Sequence, residues 1–114
     1  MSNSVTSPDV TNIGIVDICG LWEVIRICDG NNKVQYPWLG ERFKFNFLEE
    51  MLFLCIKDGQ NHHGTWKLSE HAFESKKRFS IILNDIFEYV INDINEDEII
   101  LSDYLCEYLL VRRL

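Results

Sequence analysis

Arg42-Phe43-Lys44-Phe45-Asn46-Phe47, within the segment Glu41 to Leu48, alternates without a break. In an extended chain Phe43, Phe45 and Phe47 fall on one face, and Arg42, Lys44 and Asn46 on the other. That is the pattern of a half-buried strand. Glu49-Glu50 makes a short turn, and Met51 to Lys57 reads as the next strand. Downstream, Asp58 to Gly64 reads as a long turn with two glycines, Thr65 to Leu68 as a short strand, and Ser69 to Ser75 as a polar turn or half-turn of helix. Lys77 to Leu83 is a strand with Phe79, Ile81 and Leu83 on one side. Asn84-Asp85 turns it, and Phe87, Tyr89 and Ile91 mark the next strand. After the Asn95-Glu96-Asp97-Glu98 turn, Ile99 to Asp103 and Leu105 to Val111 complete the series. Upstream, Leu21 to Cys28 is a first strand closed by Asp29-Gly30-Asn31-Asn32, and Tyr36 to Gly40 is a loop or an irregular edge.

The sum is about eight strands, each joined to the next by turn residues, which points to an all-β sandwich or barrel. No stretch after Gly20 keeps a helical period, so a parallel sheet would lack its crossover helices. Closing the antiparallel meander removes both open edges, which favours an up-and-down barrel. Residues 1–13 are expected to hold a flexible N-terminus and a short helix, and residues 14–114 the barrel. Ser7-Pro8-Asp9 has the cap, first-turn proline and acidic residue of a helix start, and one or two turns should end before Gly20.

The chain has 114 residues, of which 46% are hydrophobic and 25% charged, as one globular domain needs. Seven Phe, four Tyr and three Trp suit strands. The net charge of −7 argues against nucleic acid and against anionic membrane surfaces as partners, since both are bound by basic residues. It also serves solubility. Apolar runs are far shorter than the roughly 20 residues that span a bilayer. Met1 to Pro8 shows neither a basic cluster nor an apolar run, so no secretory leader is expected, and the expected location is cytoplasmic. The four cysteines, Cys19, Cys28, Cys55 and Cys106, match no zinc-site spacing and read as small buried hydrophobes.

Three features together resemble the lipocalin-like (calycin) barrels, in particular small bacterial domains of that group. Gly20-Leu21-Trp22 is a G-x-W at the start of the first long strand. Arg112, with Arg113, ends the last strand. Gly64-Thr65-Trp66-Lys67-Leu68 repeats the G-x-W in mid-chain. The resemblance covers residues 14–114. It implies that Trp22 packs under Arg112 and closes one end of the barrel. The chemistry fits, because a guanidinium stacks on an indole while its donors reach backbone carbonyls. The chain is shorter than a typical lipocalin, with shorter strands, which argues against a large open cavity.

The strand aromatics Phe45, Phe53, Trp66, Phe79, Phe87 and Tyr89 are expected to divide between the interior and the surface. Those inside either line a pocket or fill it, because an eight-stranded barrel has room for its own side chains or one small ligand. Phe45, Phe53, Trp66, Phe87 and Tyr89 are the candidate ligand-binding residues. Arg26 joins them, since it shares a strand face with Trp22 and could orient a carboxylate or phosphate if that face looks inward. If Trp22 stands opposite Arg112, the same register sets Cys28 opposite Cys106, where two thiols could oxidise, share a metal or simply lie buried. His62, His63 and Asp58 lack a defined ligand spacing, so no metal site is assigned. No nucleophile–base pair, phosphate loop or catalytic carboxylate pair is visible, so neither an enzyme nor a cofactor is expected. Two functions remain. One is a carrier of a small hydrophobic or amphipathic ligand. The other is a filled barrel acting as an interaction or assembly module, possible as a homodimer, with Tyr36, Trp38 and Leu39 as contact residues.

Overall fold

The computed structural model describes residues 13–40, 42–73 and 76–113. A single helical turn, α1 (Ile15–Ile18), leads into β1 (Gly20–Asp29). After β2 (Val34–Gln35) and a 3-10 turn (Pro37–Leu39) come β3 (Phe43–Phe47), β4 (Leu52–Lys57), β5 (Gln60–Phe73), β6 (Lys76–Leu83), β7 (Phe87–Ile94), β8 (Glu98–Ser102) and β9 (Cys106–Arg113). β2 is a two-residue flank on the end of β1. The other eight strands are antiparallel neighbours in chain order, and β9 pairs back onto β1, so the sheet closes into a barrel with no free outer strand.

Helix α1 is held locally. The Gly14 amide donates to the Asp17 carboxylate at 2.8 Å. The expected helix start at Ser7-Pro8-Asp9 lies outside the described residues. The aromatic alternation of β3 is realised, with Phe45 and Phe47 buried in the core and Phe43 half-buried beside them.

Two segments differ from their sequence reading, for one reason each. The long turn at Asp58 to Gly64 is a two-residue turn. Asp58 and Gly59 have φ of 56° and 75°, the left-handed pair that a tight hairpin requires, and β5 resumes at Gln60. Ser69 to Phe73 is strand, not turn. Its residues pair across to β6, with Ser69 opposite Ser80 and His71 opposite Arg78. His62 and His63 are therefore consecutive strand residues on opposite faces of β5 and cannot converge on one ion.

The closing register holds one surprise. Trp22 stands opposite Arg112, as the resemblance implies, but a bulge at Ile25 shifts the pairing beyond it. Val24 faces Leu110, whereas Arg26 faces Leu109 and Cys28 faces Glu107. The extra residue inverts the inside–outside alternation. Arg26 is exposed on the outer wall, and Ile27 packs against the core in its place. The expected Cys28–Cys106 pair is not formed, because Cys106 stands opposite Asp29 and the two thiols point to opposite faces of the sheet. All four cysteines are free.

Gly64 sits within β5, where a Cβ would overlap the Asn84 side chain. That side chain lies against the β5 backbone and accepts from the Thr65 amide at 3.0 Å, while the Asn84 amide donates to the Thr65 carbonyl at 2.8 Å. Gly64→Ala should therefore lower stability by about 2 kcal/mol, from overlap plus a lost hydrogen bond. Gly30, with open space around it, is the control, and Gly30→Ala should stay within about 0.5 kcal/mol of wild type. Urea unfolding of both variants checks the pair; equal midpoints would remove this role from Gly64.

Candidate functional site

The interior is built along one axis from a plugged end to a mouth. At the plugged end the two G-x-W tryptophans do the same work. Each is buried, and each indole donates to a carbonyl of a chain connection: Trp22 to Ile18 at 2.7 Å and Trp66 to Leu48 at 2.9 Å. The Arg112 guanidinium lies over the Trp22 ring, 4.2 Å from its centroid. Its donors reach the carbonyls of Asp17 at 2.9 Å, Cys19 at 2.8 Å and Glu96 at 2.8 Å. Gly20, with φ +126°, is required beside it, because a Cβ there would meet the guanidinium at 2.6 Å.

From this plug a ladder of rings climbs the interior. Trp66 meets Phe47 edge-on at 5.3 Å, Phe47 stacks on Phe45 at 5.5 Å, and Phe45 contacts Phe43 at 5.1 Å. Phe53 leans on Phe45 from β4 at 6.3 Å. Tyr89 and Tyr108 cross edge-to-face at 5.7 Å on the opposite wall. Among the described residues, these rings border an apolar cavity of about 20 Å³, walled by Val24, Phe43, Phe45, Ile81, Tyr89 and Tyr108 among others. A single water needs roughly 10–15 Å³ on this measure, so the hole is about one water in size.

The mouth carries the only strongly shaped electrostatics of the interior among the described residues. Asp103 accepts from the amides of Leu105 at 2.8 Å and Cys106 at 2.7 Å, and from the Tyr108 hydroxyl at 2.9 Å. Burial alone would push its carboxyl up, but these hydrogen bonds together hold it below the usual carboxylate range. Burial, and then the Asp103 carboxylate, push the Tyr108 hydroxyl far up, and it serves as a fixed donor. Tyr89 is raised by burial, then by Asp103 and Cys55. Burial lifts the Cys55 thiol to about 11, so it is protonated and inert at neutral pH.

Of the residues singled out from the sequence, the structure brings Phe45 and Tyr89 together in the cavity wall. Phe53 and Trp66 are buried in the core, Trp66 as part of the plug. Phe87 is exposed at the start of β7, and Arg26 is on the outside, behind the bulge. Phe43 and Tyr108 also line the cavity and were missed. Phe43 was readable, since it shares the alternation of Phe45. Tyr108 was hidden by the bulge, which sets the phase of β9 against β1. Trp38, Leu39 and Tyr36 are exposed around the 3-10 turn. A second exposed row was missed: Leu52, Leu54 and Ile56 on the outer face of β4.

No protein-family model matches the sequence, and no curated protein matches it. Among solved structures, a lipocalin-like protein from Bacteroides uniformis is similar, with a TM-score of 0.59 and 14% identity over 85% of this chain and 99% of that chain. The likeness shows the fold, a lipocalin-like closed antiparallel barrel with a short N-terminal helix, and carries no ligand with it.

Each end of the barrel offers a test. Arg112→Lys keeps the charge but cannot reach three carbonyls in one plane, so it should cost about 2–3 kcal/mol in chemical denaturation. A loss under about 0.5 kcal/mol would mean the stack does not hold the barrel shut. At the mouth, the lowered Asp103 contributes stability that is complete above its unfolded value of about 4 and is lost as pH falls through the folded value. Asp103→Asn keeps an acceptor but does not titrate. Its urea midpoint should fall less than that of wild type between about pH 4 and pH 2; parallel curves would exclude Asp103 as a contributor.

Proposed function

We propose that this chain is a filled lipocalin-like barrel that works through its outer wall, as a self-associating interaction module. The observation that carries the reading is the contrast between inside and outside. The interior cavity lined by the described residues holds about 20 Å³, while Leu52, Leu54 and Ile56 form an exposed row on the outer face of β4. Their cross-strand neighbours on that face are Lys44 and Asn46 of β3, and Asn61, His63 and Thr65 of β5. None is acidic, although the chain carries 18 Asp and Glu against 11 Lys and Arg. These neighbours add no carboxylate repulsion between two copies. A two-fold axis through Leu54 would set Leu52 of one copy against Ile56 of the other, as a self-complementary contact requires.

A second reading is supported by the cavity walls. They are apolar, and Phe43, Tyr89 and Tyr108 are only half-buried at the mouth. A small hydrophobic or amphipathic ligand would enter there by displacing those rings. Sedimentation velocity over a concentration series separates the readings, with an apolar fluorescent probe added in parallel. The module reading expects a monomer–dimer equilibrium that Leu54→Glu abolishes. Dimers that survive Leu54→Glu but dissociate with Trp38→Ala would move the contact to the 3-10 turn. A strict monomer with saturable one-to-one probe binding would overturn the module in favour of the carrier.

A further inference from the structure

β6 and β7 part at the Ser80–Val90 pair. Beyond it, Lys76 to Phe79 pair only with β5, and β7 continues along β8. The split leaves a cleft of about 570 Å³, walled by His71, Lys76, Lys77, Arg78 and Asn92 over the Phe79 ring. His71 and Arg78 are direct cross-strand partners, so their Cβ atoms lie roughly 4.5–5.5 Å apart on one face. Lys76 and Arg78 lie on the same face, about 7 Å apart along the strand.

The charge of this cleft opposes that of the chain. Among the described residues its walls hold Lys76, Lys77, Arg78 and His71 and no carboxylate, in a protein of net charge −7. Lys77 and His71 have outlying partners, Glu70 at 3.7 Å and Glu88 at 3.4 Å. Lys76 and Arg78 have no ion-pair partner among the described residues. Where the strands diverge, alternate backbone amides of β6 also face the cleft instead of a neighbouring strand. Asn92 is steadied by a 3.0 Å bond from its side-chain amide to the Ser102 hydroxyl.

We propose that this cleft binds a small phosphomonoester, with its phosphate held by Arg78 and Lys76, which share a face of β6, and its apolar body directed through the split toward the edge of Phe79. A guanidinium can take two phosphate oxygens at once, and the lysine adds a point charge. The site is on the outer wall and does not depend on the barrel interior or on self-association.

The test is isothermal titration of the full chain at low salt with phenyl phosphate, and with inorganic phosphate for comparison. One-to-one binding is expected, tighter for phenyl phosphate because of its ring. Arg78→Ala should weaken it about tenfold or more, and Arg78→Lys less. Lys33→Ala removes an equal charge from the exposed β1–β2 turn, away from the cleft, and should change little. Equal losses for Arg78→Ala and Lys33→Ala would reduce the effect to general electrostatics and overturn the proposal. No saturable binding of phenyl phosphate would overturn it too. Flotation with phosphatidate-containing vesicles is the second arm: vesicle binding without phenyl phosphate binding would replace the small molecule by a membrane surface.

Discussion

One guanidinium caps the end of the seam where the first and last strands of the barrel pair. Arg112 stacks on Trp22 across the β1–β9 seam and bonds to three carbonyls, two from the approach to β1 and one from the β7–β8 turn. Each of those carbonyls would otherwise be left at a chain end or turn without a strand partner. Arginine suits the task because its charge is permanent and its donors fan out in one plane. The demand propagates to its neighbours. Gly20 must lack a Cβ to admit the guanidinium, and Ile18 must end α1 where its carbonyl meets the Trp22 indole.

The outside of the same seam is closed by a second charge arrangement. Glu23, next to Trp22 but facing outward, is 2% exposed. Its two carboxylate oxygens lie 3.0 Å from Arg113 of β9 and 3.4 Å from Arg42, just before β3. One carboxylate thus spans the strands on both sides of β1. Its burial is tolerable because two cations flank it, and each of them keeps contact with water. With Arg112 at the plugged end and Glu23 on the wall, β1 is held by polar contacts where a meander would otherwise open.

The ring packing follows from the aromatic residues that successive strands turn inward. Phe43, Phe45 and Phe47 follow one another along β3, Trp66 and Phe53 meet them, and Tyr89 and Tyr108 pair across the cavity. The alternation in β3 and the G-x-W and Arg signals were readable because each depends on residues close in sequence or on a single strong pairing. The content of the cavity was not, because it depends on register. One extra residue at Ile25 turns Arg26 outward, separates Cys28 from Cys106 and decides which β9 residues face Phe43. Nothing in Val24-Ile25-Arg26 announces that bulge. Gly64 was misread as a turn residue because its reason, Asn84, lies twenty positions away.

Entry of a ligand between these rings would first break aromatic contacts worth about 0.5–1.5 kcal/mol each. The exposed features face no such cost. The β4 row and the β6–β7 cleft differ in kind: the row is apolar and free of carboxylates, the cleft is cationic and arises only because two strands diverge. β5 is a 14-residue strand that pairs with β4 over its first half and with β6 over its second. That offset lets the β5–β6 hairpin run past the end of its β7 pairing and opens the cleft.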